Sequence, residues 1–149
     1  MFAPKNILVP TDFSEYSDAA LKKAIDIAEQ YKAKIYLLHV IDEHIRQCAV
    51  DYCLDIGVVD RLEAESIKAS KDKLHKEAAA IGEAKKLKIV FDVKNGNPAE
   101  VILKEQQEKK IDLIVIASHG KTGLMKQLMG SVADKVVKGA KCPVIVVKP

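Results

Sequence analysis

The sequence predicts an α/β fold in which a parallel sheet is doubly wound, with helices on both faces. Three observations lead there. Short apolar runs rich in β-branched residues recur near 6–10, 34–41, 88–93, 111–118 and 143–147. Most of the stretches between them carry apolar residues at helical spacing. Strands that alternate with helices of ten or more residues build βαβ units, whose right-handed crossovers give a parallel sheet. A length of 149 residues suits one domain over 1–149, and a chain of that size buries about 70% of its unfolded surface without disulfide or structural metal.

The elements follow in order. Asn6 to Pro10 is a strand apolar on both faces, closed by Pro10-Thr11-Asp12. Ser14 to Asp18 supplies capping and acidic residues, and Leu21, Ala24, Ile25, Ala28 and Tyr31 then form a helical stripe. Lys34 to Ile41 is the second strand. The segment 42–60 is the least regular and reads as a loop with short helical pieces. From about Arg61, the residues Leu62, Ile67, Leu74, Ala78 and Ile81 define a long amphipathic helix ending near Gly82. Lys88 to Val93 alternates polar and apolar, as an edge strand does. Asn97 is an N-cap with Pro98 at the first helical position; that helix runs to about Lys110 with Val101, Ile102 and Leu103 facing in. Ile111 to Ser118 is a central strand, and a glycine-rich loop spans His119 to Gly130. Ser131 is expected to cap the last helix, Val132, Val136 and Val137 to form its buried stripe, and Gly139 to end it in a left-handed conformation. Pro143 to Val147 is the fifth strand.

Composition removes several classes of function. Net charge is only +3, from 24 basic and 21 acidic residues, and only Arg46 and Arg61 are arginine. That charge is too mild, and Arg too scarce, to point to nucleic acid. Trp is absent and aromatics are 5%, so no stacking platform for bases is expected. The longest apolar runs are about five residues, against about 20 for a membrane span. No secretory pattern opens the chain. Three cysteines, an odd number without framework spacing, fit a reducing cytoplasm.

In a doubly wound sheet, ligands sit beyond the carboxyl ends of the strands. That directs attention to Pro10–Ser14 and Ser118–Ser131. The second loop holds Gly120, Gly123 and Gly130, the last followed by Ser131 at a helix start. Glycines let backbone N–H groups turn toward an anion, and a helix N-terminus adds its own N–H groups and positive dipole end. The same glycines could simply serve turns. Asp12 at the end of the first strand could accept from ribose hydroxyls or an adenine amino group, or could bond its own backbone in the turn.

Other motifs are weaker. Gly120-Lys121-Thr122 resembles the end of a P-loop, but Val115 stands where its first Gly must be. The turn after the first strand contains no Gly, so a dinucleotide fingerprint is absent as well. Ser118 and His119, being adjacent, are expected to point apart. A nucleophile elbow would need Gly at Ile116. His44, Cys48 and Cys53 could ligate a metal, or the segment could bury both thiols as small apolar groups. His39 is expected in the core or at the cleft edge, and His75 on a solvated helix face.

Several motifs together resemble the universal stress protein family over nearly the whole chain. They are ILVPTDFSEYSDAAL at the start, LLHVID at the end of the second strand, GNPAEVIL before the third helix, and ASHGKTGLMKQLMGSVADKVV with CPVIVVKP in the last third. The ATP-binding branch carries Gly, two residues, Gly, nine residues, then Gly-Ser or Gly-Thr. Here Gly120, Lys121 to Met129 and Gly130-Ser131 match that motif, while Ala117 stands at its first Gly. The resemblance implies a Rossmann-like sheet in the order 3-2-1-4-5 and a homodimer through strand five. It implies ATP or a related adenine nucleotide, with Mg2+ on the phosphates. Asp12, flanked by Pro10 and Thr11, would read ribose or adenine, and the backbone of Val40 would hold adenine. Gly120, Gly130 and Ser131 would take the phosphates, with Val132 following and Ile116 and Ala117 at the strand end beneath. Function would be that of a cytoplasmic, nucleotide-linked stress-response regulator. No catalytic set is assembled in the sequence, and slow ATP hydrolysis is the most the loop suggests. The rival is a nucleotide-free dimerisation or partner-binding module of the same fold.

Overall fold

The computed structural model describes residues 1–120 and 129–149, with Ile45 described by its backbone alone. The elements run β1 (Asn6–Pro10), α1 (Glu15–Tyr31), β2 (Lys34–Asp42), α2 (His44–Asp51), α3 (Ile56–Lys85), β3 (Ile89–Gly96), α4 (Pro98–Glu108), β4 (Leu113–Ala117), α5 (Ser131–Gly139) and β5 (Val144–Val147). The sheet order is β3-β2-β1-β4-β5, and every pairing is parallel.

Strand pleating divides the core into two layers. In β1, Ile7 and Val9 face a layer with Ala20, Ala24 and Ala28 of α1 and Leu74 of α3. Leu8 faces the opposite layer with Ile102 of α4 and Val136 of α5. Strand β4 splits the same way, Leu113, Val115 and Ala117 against Ile114 and Ile116. A strand buried on both faces has no polar side, which is why these two read as unbroken apolar runs. Each fully buried aliphatic side chain contributes about 1.5–3 kcal/mol.

Caps set the helix starts. Ser14 Oγ accepts from Ser17 N at 3.2 Å, and Asn97 Oδ1 accepts from Glu100 N at 3.2 Å ahead of Pro98. At the amino ends of the strands, the Asp112 carboxylate accepts from Lys5 N and Asn6 N at 3.0–3.1 Å, fastening β1 to the start of β4. The ligand-facing end of the sheet is the opposite one.

Several boundaries differ from the sequence reading. The segment 42–60 contains the full helix α2, and α3 begins at Ile56, five residues ahead of Arg61. The start is set by Asp55, whose Oδ1 accepts from Gly57 N at 2.7 Å and Val58 N at 3.4 Å. Gly82 lies inside α3, which stops at Lys86 with φ 54°. Leu62 is exposed, because only the later turns of α3, at Leu74 and Ala78, are buried. Tyr31 and Val137, at the ends of their stripes, are exposed too. Gly139 is the last helical residue and lacks positive φ; a Cβ there would lie 2.6 Å from Leu103 Cδ1, so its role is close packing of α5 on α4. Cys48 and Cys53 are exposed, so the expectation of buried thiols fails.

Candidate functional site

The carboxyl ends of β1, β2 and β4 meet the amino end of α5 around a cavity of about 430 Å3. The chain leaves β1 toward β2 on one side and later returns to β4 on the other, so the cavity stands where the strand order reverses. Pro10, Thr11 and Asp12 line it from β1, Val40 from β2, and Ile116 and Ala117 from β4. Gly120, Gly130, Ser131 and Val132 line it from the glycine loop and α5. All ten residues singled out in the sequence therefore share one space. Lys121 to Leu128, with Gly123 among them, lie outside the described residues.

The turn after β1 is tightly built. Thr11 N continues the ladder to Leu38 O at 2.8 Å, and Thr11 Oγ1 accepts from Phe13 N at 3.1 Å. Asp12 Oδ1 accepts from Ser14 N at 3.0 Å. His39 Nδ1 lies 2.8 Å from Thr11 O; a carbonyl only accepts, so Nδ1 carries the proton. Phe13 has φ 63°, a region bulky residues rarely enter. Its ring is held 4.5 Å from the His39 ring, with the Lys73 ammonium 4.2 Å above it. Backbone strain of about 1–3 kcal/mol is thus kept beside Asp12 by its surroundings.

Of the two roles the sequence left open for Asp12, the structure shows the turn bond to its own backbone. One oxygen closes the turn, and the other stands at the cavity wall against Gly120. A Cβ on Gly120 would lie 2.6 Å from Asp12 Oδ2. Gly120 has no positive φ, so what its missing Cβ spares there is a close approach to the end of the Asp12 side chain.

Gly130 plays a matching part across the cavity. Its N–H donates to Ser118 O at 2.6 Å, closing the glycine loop onto the end of β4. It is also the N-cap of α5, in extended conformation, and its carbonyl accepts from Asp134 N at 3.0 Å. Ser131 is therefore the first helical residue, not the cap that was expected. Among the described residues, no side chain caps α5. The first-turn N–H groups of Ser131 and Val132 and the positive dipole end stand at the cavity wall, an arrangement suited to an anion.

Ser118 and His119 do meet: Ser118 Oγ lies 2.8 Å from His119 Nδ1. The expected divergence holds inside a strand, and the chain has already turned here. Ser118 is almost wholly buried, and both residues belong to the cavity wall. The sequence reading also missed Asp42, the last residue of β2, as a second carboxylate on the wall, and Pro98 and Ile102 of α4 beneath it. The acidic end of LLHVID was the available signal for Asp42; α4 reaches the cavity only through the crossover from β3. Among the described residues, no three His, Cys, Asp or Glu side chains converge on a metal position.

The universal stress protein family model matches residues 4–148. The chain belongs to the universal stress protein family. Universal stress protein MJ0531 of Methanocaldococcus jannaschii is 37% identical over 146 residues, covering 97% of this chain and 82% of the relative. Universal stress protein MJ0577 of the same organism is 39% identical over 153 residues, covering 97% and 94%. The solved MJ0577 structure superposes with a TM-score of 0.80 at 33% identity, covering 99% of this chain and 98% of that one. A universal stress protein from Archaeoglobus fulgidus, solved in complex with dAMP, shares the fold at a TM-score of 0.69 and 21% identity, covering 99% and 100%.

Proposed function

We propose that this universal stress protein binds an adenine nucleotide, ATP foremost, at the carboxyl ends of β1, β2 and β4, and acts in the cytoplasm as a nucleotide-linked stress-response regulator. The observation that carries the reading is the opposition of two features across one cavity: a carboxylate turn at Asp12, and the helix start at Gly130-Ser131, which no side chain among the described residues caps. Between them Leu38, Val40 and Ile102 offer an apolar surface to a base. Asp12 and Asp42 offer acceptors to ribose hydroxyls or an exocyclic amine, and α5 with the glycine loop offers N–H donors to phosphates. The dAMP complex of a family member supports the choice of an adenine nucleotide at the level of the fold. Mg2+ would ride on the phosphate oxygens and water, as that ion usually does, and would neutralise phosphate charge. The protein works as a homodimer through β5 in this reading.

The first test is acid release of any ligand from protein purified out of cells, read as an adenine peak on chromatography. The second is ATP titration of wild type and Asp12→Asn. Asn keeps an acceptor for Ser14 N and removes the charge. Affinity should fall by about 1.5–3 kcal/mol, the size of a hydrogen bond to a charged group, with the unliganded melting temperature nearly unchanged. Equal affinity of the two proteins would remove Asp12 from the site.

A further inference from the structure

The α2–α3 hairpin lies outside the nucleotide reading, and α3 reaches the core through its later turns. The 30 residues of α3 span about 45 Å, and its buried residues, Leu74 and Ala78, belong to its later turns. The earlier turns run beside α2, held by Arg46, which pairs with Asp60 at 3.0 Å and Glu63 at 2.6 Å. Around the tip of this hairpin Val50, Tyr52, Leu54, Ile56, Val58 and Leu62 are between 44% and 79% exposed. Six large apolar side chains within thirteen residues make a patch of the kind that marks an interaction surface, where single exposed apolar residues would not. The surrounding charge has one dominant sign. Glu43, Asp51, Asp55, Asp60, Glu63 and Glu65 stand against Arg46 and Arg61, in a chain whose net charge is +3.

That combination selects among occupants. An anionic lipid surface or a nucleic acid would meet charge of its own sign. A second copy docking tip to tip across a two-fold axis would set the same acidic rim against itself. A partner with apolar residues among basic ones satisfies both the patch and its rim, since complementary charge steers and orients docking. We propose that the tip of the α2–α3 hairpin is the docking surface for a basic amphipathic segment of a partner protein. The proposal does not depend on what the cavity holds.

The test uses the full-length protein and two amphipathic peptides of about 18 residues, long enough to hold a helix. One is built of leucine and lysine, the other of leucine and glutamate on the same apolar pattern. At about 0.15 M salt, the lysine peptide should bind and the glutamate peptide should not. Binding should slow maleimide labelling of Cys53, which lies within the patch, several-fold and leave Cys142 unchanged. Tyr52→Ser with Leu54→Ser should weaken binding at least tenfold, whereas Val137→Ser, an exposed apolar change elsewhere, should not. Asp51→Lys with Glu65→Lys should lose the lysine peptide and gain the glutamate one. The proposal is overturned by equal binding of the two peptides or by undiminished Cys53 labelling. It is also overturned by a dimer that Tyr52→Ser with Leu54→Ser dissolves, or by flotation of the protein with anionic vesicles.

Discussion

At Ala117 the chain departs from a family motif without entering positive φ. The motif's first Gly is replaced here, and a residue forced to positive φ would be strained by its methyl. Ala117 is instead the last residue of β4 and is not among the positive-φ residues. Its methyl lies in the buried layer that includes Ala20 and Leu21 of α1. Ala117→Gly should therefore lower stability by about 0.5–1 kcal/mol through added backbone freedom. ATP affinity should change by less than tenfold, about 1.4 kcal/mol. Melting curves and ATP titrations of both proteins check this; a Gly variant that melts higher and binds more than tenfold tighter would show strain at this position. Gly120 behaves differently, because the space for its missing Cβ is taken by Asp12. Neither the carboxylate pressed against Gly120 nor the strained backbone of Phe13 could be read from residue order, since both arise from elements far apart in sequence.

At the scale of elements, the legible features were those fixed by local chemistry. Asn97-Pro98 and Ser14 begin helices where their capping chemistry places them. The runs at β1 and β4 are buried on both faces as their composition implied. The illegible ones depend on which part of an element reaches the sheet: Leu62 continues the apolar stripe of α3 in sequence, yet its turn overhangs the body. Asp55 as a cap was hidden for a related reason, because the helix it opens carries exposed apolar residues. The edge strand β3 adds a contact no periodicity could show. Lys94 Nζ sits 2.7 Å from Oε2 of Glu105 on α4, with side-chain exposures of 33% and 4%. The hydrogen bond to Glu105 holds the Lys94 ammonium above the usual lysine range, against the opposing effect of burial. Because that folded value is raised, the pair's contribution is complete at neutral pH and is lost as pH rises past the lysine range. Lys94→Met should cost about 2–3 kcal/mol at pH 7, less than the 3–5 of a fully buried pair because Lys94 is partly solvated. The deficit should narrow as pH rises through the lysine range, where the Lys94 ammonium loses its charge. Urea unfolding at neutral pH and above the lysine range reads this, and a deficit that widens as pH rises would contradict it.

The whole molecule has a polarity that only the assembled sheet reveals. Its amino ends are fastened by Asp112, its carboxyl ends open into the cavity, and its two edges are unlike. Strand β3 is an edge of eight residues that includes Asp92 and Lys94, and charge protects an edge from pairing. Strand β5 is Val144, Ile145, Val146 and Val147, with no charge before Lys148. Its pairing to β4 uses the Pro143 carbonyl, which accepts from Ile114 N, and the Val147 carbonyl, which accepts from Ser118 N. In a parallel ladder alternate residues turn their N–H and C=O to the same side. Odd-numbered residues of β5 thus serve β4, and Val144 and Val146 turn theirs to the open edge. A homodimer built through β5 would draw on those groups. Val146→Pro removes one outward N–H, leaves the β4 ladder whole, and is a substitution edge strands accept. It should shift a wild-type dimer toward monomer in sedimentation at micromolar concentration, with circular dichroism unchanged. Val146→Thr keeps both the N–H and the β-branched shape, and should stay dimeric. Wild-type protein that sediments as a monomer, or a Val146→Pro variant that remains fully dimeric, would place the subunit contact elsewhere than β5.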